Sequence, residues 1–73
     1  MLFIGGISLT SNEQYCAVAR PFSKDVVLLN SNTLETVSSF DSKYQPLNVV
    51  VLSNLKLVAR DWKTGDVEFG HFN

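Results

Sequence analysis

The segment Cys16-Ala17-Val18-Ala19-Arg20, followed by Phe22 and Asp25-Val26, is echoed by Lys56-Leu57-Val58-Ala59-Arg60, followed by Trp62 and Asp66-Val67. Arg20 and Arg60 stand 40 positions apart, and ~40 to 45 residues is the spacing at which a four-stranded supersecondary unit recurs. A chain of 73 residues holds fewer than two such units. The echo therefore limits the fold to a short β repeat, or to a small domain that imitates its spacing.

The rest of the pattern agrees with strands. Apolar residues come in short runs rich in β-branched types, separated by Ser, Asn, Asp, Gly and Pro, and they lack helical periodicity. Ile7 to Leu9 alternates, Tyr15 to Arg20 is apolar on both faces, and Val26 to Leu29 is a continuous apolar run. Thr36 to Phe40, Leu47 to Leu52, Leu55 to Arg60 and Val67 to Phe72 complete a predicted antiparallel meander of about seven short strands. Turn residues fill the gaps at 11–14, 21–24, 30–33, 53–54 and 63–66, and Gly65 accepts a positive φ at low cost. Asn32 and Glu35 have capping-box spacing, yet the β-favouring Thr36-Val37 that follows predicts a strand-to-strand turn there.

In this order the first four strands, Ile7–Leu9, Tyr15–Arg20, Val26–Asn30 and Thr36–Phe40, make one antiparallel unit, and the last three begin a second. A single domain, 1–73, thus divides into repeat-like halves of about 5–41 and 46–73. With the Trp62-Lys63-Thr64-Gly65-Asp66-Val67 turn and the repeated Val-Ala-Arg, the chain resembles about one and three-quarter blades of a WD40-like or related β-propeller. It departs from that family where Asp61-Trp62 reverses the family's Trp-Asp dipeptide, and where Gly70-His71 matches its Gly-His pair only beside the chain end. A second alignment, Leu57–Trp62 on Val27–Asn32, gives an offset of 30, short for a whole blade.

Propellers close with typically ~4 to 8 blades, more than this chain supplies. Blade-like sheets of this size need neighbours, and apolar uncharged runs such as Val26–Leu29 and Val49–Leu52 recruit other strands when left on an open edge. Self-association, or association with the remainder of a larger protein, is the expectation. The alternative is a small β-sandwich or partly open barrel that covers its own edges.

Charge and chemistry exclude several function classes. Six Lys and Arg against seven Asp and Glu give a formal charge of −1, and the basic residues are scattered singly, without the clustered positive field a phosphate backbone requires. No nucleic-acid partner is expected. One cysteine, Cys16, excludes an internal disulfide and a cysteine-based zinc site. The lone His71 has no nucleophile and orienting carboxylate in a recognisable motif, the glycines form no phosphate loop, and the carboxylates lack calcium-loop spacing. Most of these carboxylates are expected to be solvated turn residues. No catalytic, cofactor or metal residue is assigned. Residues 1–6 have neither a basic n-region nor a long apolar run, so no membrane partner and an intracellular, cytoplasmic setting are expected.

Candidate partner-binding residues lie at the echoed strand ends: Arg20, Phe22, Arg60, Asp61 and Trp62. Arg and Trp combine large buried area with directional donors, which makes them effective interface anchors. The competing expectation lays each Arg stem on its aromatic and pairs the guanidinium with Asp25 or Asp61, worth ~0.5–1 kcal/mol. The resemblance implies a non-catalytic protein–protein interaction module or scaffold, binding protein or peptide. Alternatives are a propeller-enzyme fragment or subunit completed by other chains, and a free-standing inhibitor-type binding protein.

Overall fold

The structure, a computed structural model, describes residues 5–72. Within them lie seven strands: β1 (Ile7–Leu9), β2 (Tyr15–Arg20), β3 (Asp25–Asn30), β4 (Thr36–Asp41), β5 (Pro46–Val51), β6 (Lys56–Asp61) and β7 (Val67–His71). Each end falls within a residue or so of the sequence-based bounds. All pairings are antiparallel between consecutive strands. They form a four-stranded sheet, β1-β2-β3-β4, and a three-stranded sheet, β5-β6-β7, with no closed barrel. No helix among the described residues is long and apolar enough to cross a membrane.

The two sheets pack face to face. Ala17, Ala19, Val26, Leu28 and Phe40 of the first meet Val49, Val51, Leu57 and Ala59 of the second, with Phe72 closing the cluster. The alanines let the backbones approach, while Val26, Leu28, Leu57 and Phe72 are fully buried at ~1.5–3 kcal/mol each. At the outer strands, Gly70 lies under the Phe40 ring, and a Cβ at that position would collide with it. At the inner strands, the Gly6 amide donates to the Leu47 carbonyl.

Both sheets run in the same sense. β1 and β5 start at the end where β2 and β6 finish, since Ala19 bonds Gly5 and Gly6 while the Asp61 carboxylate and the Trp62 amide bond Gln45, next to Pro46. The front of the first sheet therefore lies on the back of the second. In such a stack Ala19, which points forward into the interface, is equivalent to Arg60, which points forward out of it, and Arg20 is equivalent to Asp61. The structural offset is 41 rather than 40. One residue of slip reverses every side chain between faces, so the Val-Ala-Arg echo marks equivalent strands but not equivalent positions.

Another pair of turns is matched in detail. Asn30 and Asp61 each begin a hairpin turn in which the side-chain oxygen accepts the amides two and three residues on, Asn32 and Thr33 or Lys63 and Thr64. The threonine hydroxyl of each turn then accepts the next-but-one amide, from Glu35 or Asp66. Leu34 and Gly65 occupy the left-handed position, with φ of 64° and 78°. Short polar side chains that bond their own backbone favour turns over continued ladders. The Asn32–Glu35 spacing accordingly produces a turn and no helix.

Candidate functional site

Two hairpin tips, 21–24 between β2 and β3 and 62–65 between β6 and β7, meet at the end of the molecule where the β4–β5 linker crosses. Pro21 is buried and anchors the first tip, which turns through Lys24 at φ 56°. Phe22 then projects outward, 63% exposed, beside Trp62 at 42%. Their rings meet edge-to-face, with centroids 6.0 Å apart and planes at 85°, an arrangement worth ~0.5–1.5 kcal/mol beyond its burial. Lys63 Nζ lies 5.8 Å from the Trp62 ring centroid, within range of a cation–π contact.

Trp62 is fixed from behind. Its Nε1 donates to Gln45 Oε1 at 2.7 Å, and its amide donates to the Gln45 carbonyl at 3.0 Å. Beneath it the buried Asp61 accepts from the Gln45 amide at 2.8 Å on Oδ1. Asp61 Oδ2 accepts the Lys63 amide at 3.2 Å, the Thr64 amide at 2.9 Å and the Thr64 hydroxyl at 3.0 Å. These donors, the Thr64 amide first and the Gln45 amide next, hold the Asp61 carboxyl below its ordinary pKa, because hydrogen bonds to the charged form favour it. Glu68 clamps the same linker, accepting from Ser42 Oγ at 2.6 Å and the Lys43 amide at 3.2 Å.

Asp61 and Glu68 are exceptions among carboxylates expected for the most part to be solvated: they satisfy backbone donors of the linker that crosses between the sheets and that would otherwise be left unpaired. Nor does Asp61 pair with Arg60. Arg60 is exposed on the outward face of the second sheet, while both carboxylate oxygens of Asp61 are engaged at the turn. Arg20 does pair with Asp25, Nε to Oδ1 at 2.7 Å and Nη2 to Oδ2 at 2.6 Å. That fork raises the Arg20 pKa and contributes about 1 kcal/mol across β2 and β3.

Of the five candidate residues, the structure brings Phe22 and Trp62 together over Asp61 and sends Arg20 and Arg60 to opposite outward faces. Gln45, Lys63 and Glu68 also build this end, and sequence reasoning did not single them out. The Asx residue followed three positions later by Thr, in 30–33 and 61–64, was the signal available for the Asp61 turn. Gln45 and Glu68 carried none, because their partners lie far along the chain.

The opposite end holds a crevice of about 220 Å³ lined by Thr10, Asn12, Tyr15, Leu52 and Leu55. Within it the Thr10 hydroxyl donates to Asn12 Oδ1 and accepts the Tyr15 amide. Among the described residues no three His, Cys, Asp or Glu side chains converge on a metal-sized site. Comparison with known proteins finds no matching family model, no matching curated protein and no matching solved structure.

Proposed function

We propose that this chain is a non-catalytic interaction module, a pair of sheets of the WD40-like or related β-propeller kind. It engages protein or peptide through the Phe22–Trp62 end. One observation carries the reading: an aromatic pair stands out from the surface, yet Trp62 is held by two bonds to Gln45 above the hydrogen-bonded Asp61 turn. Large rigid aromatics lose little side-chain entropy on contact, which is why such residues dominate interface energetics. An intracellular, cytoplasmic setting belongs to the same proposal, and the free thiol of Cys16 is compatible with it. Arg20 and Arg60 fall outside this contact.

The test is selection of peptides from a random displayed library on the purified chain, followed by affinity measurement on variants. Phe22→Ala or Trp62→Ala should weaken the selected peptides by more than ~2 kcal/mol, about 30-fold, while the variants remain folded, with melting temperatures lower by ~2–12 °C for loss of the ring pair. Peptides that bind both variants as well as they bind the parent chain would refute the proposal.

A further inference from the structure

Among the described residues, the same-sense stacking leaves one sheet face uncovered at each side, and the two differ in composition. Cross-strand partners share a face, which places Ile7, Val18, Val27 and Leu29 together on the back of the first sheet. The Arg20–Asp25 pair lies with them, and so does Asp41, the cross-strand partner of Asp25. Val18, Val27, Leu29, Arg20 and Asp25 line a groove of about 370 Å³. On the front of the second sheet stand Val50, Val58, Val67 and Phe69, with Lys56 and Arg60 among them. Phe69 is 75% exposed.

These are the faces that would meet if the packing already present inside the molecule were repeated between molecules. Position by position at the offset of 41, Val58, Val67 and Phe69 stand where Ala17, Val26 and Leu28 stand in the internal interface, and Leu29 stands where Gly70 does. Charge agrees with that pairing. The back carries Arg20 against Asp25 and Asp41, a balance of one negative charge, and the front carries the two cations Lys56 and Arg60. Complementary charge favours this partner and direction, since front on front would oppose cations.

We infer that a second copy of this chain docks head to tail, the Val50–Val58–Phe69 face of one on the Ile7–Val27–Leu29 face of the next, continuing the sheet stack. With two sheets in each copy, about two to four copies would close a ring of ordinary propeller size. The interface is heterologous, so each copy uses both faces, once each. It is distinct from the Phe22–Trp62 end and stands or falls separately.

Equilibrium sedimentation of the full chain and of two single-face variants tests this. Wild type should sediment as a defined multiple of the 8.1 kDa chain. Phe69→Glu, which disables the front, and Ile7→Glu, which disables the back, should each be monomeric. Mixed in equal amounts they should form a dimer and stop there, because one intact front meets one intact back. Val50→Glu and Leu9→Glu should repeat the result, which covers a folding defect in either first variant. A monomeric wild type, variants that keep the wild-type mass, or mixtures of folded variants that stay monomeric would each overturn the inference.

Discussion

Leu34 and Gly65 hold the same place in the two matched turns, and only glycine is suited to it. A left-handed backbone costs an L-residue ~1–2 kcal/mol, while Leu34 is 66% exposed and gains little from packing. Leu34→Gly should therefore raise stability by about 0.5 kcal/mol after the entropy cost of glycine is set against the relief. That corresponds to a melting temperature higher by ~2–4 °C for a domain of this size. Gly65→Leu should lower stability by about 1 kcal/mol or more. Thermal melts of the two variants check both, and changes of the same sign would contradict the shared geometry. The sequence gives no sign of strain at Leu34, because leucine is not a residue from which a left-handed turn position would be inferred.

At the level of strands and turns, most of the architecture was legible. Runs such as Val26–Leu29, bounded by turn residues, admit little else than strands. The facing of each strand was less so: Ala17, Val18 and Ala19 are all buried, and a strand apolar on both sides offers no alternation to choose between offsets of 40 and 41. Asp61 shows how a candidate site residue can be found for an incomplete reason. It belongs to the aromatic end as expected, but as the support of a turn. Its lowered pKa means that the unfolded chain binds this proton more tightly than the folded one. The turn's contribution is thus present above the ordinary carboxylate range near pH 4 and is lost as pH falls through the lower folded value. Melting temperature followed from neutral to strongly acidic pH should show that decline. Asp61→Asn, which cannot titrate, should have a lower neutral value and a flatter acid limb; parallel curves for the two proteins would exclude this role.

A single core spans both sheets, so the described residues should unfold as one cooperative unit. Leu57 belongs to the cluster that joins the two sheets and is fully buried, so Leu57→Ala should cost ~2–5 kcal/mol. Against a total of roughly 4–11 kcal/mol for a chain this long, that is a large fraction. Denaturant unfolding followed by Trp62 fluorescence, at the tip of the second sheet, and by far-UV circular dichroism, from both sheets, should give coincident transitions in wild type and variant. Separate midpoints would mean that the sheets fold independently. The Phe40–Gly70 contact has a larger-scale meaning. It sets how far the sheets splay at their outer strands, and a small wedge angle repeated from copy to copy becomes curvature. In the proposed stack, bulk at position 70 would therefore act as a dial between a circle that shuts on itself and an open filament whose two ends keep growing.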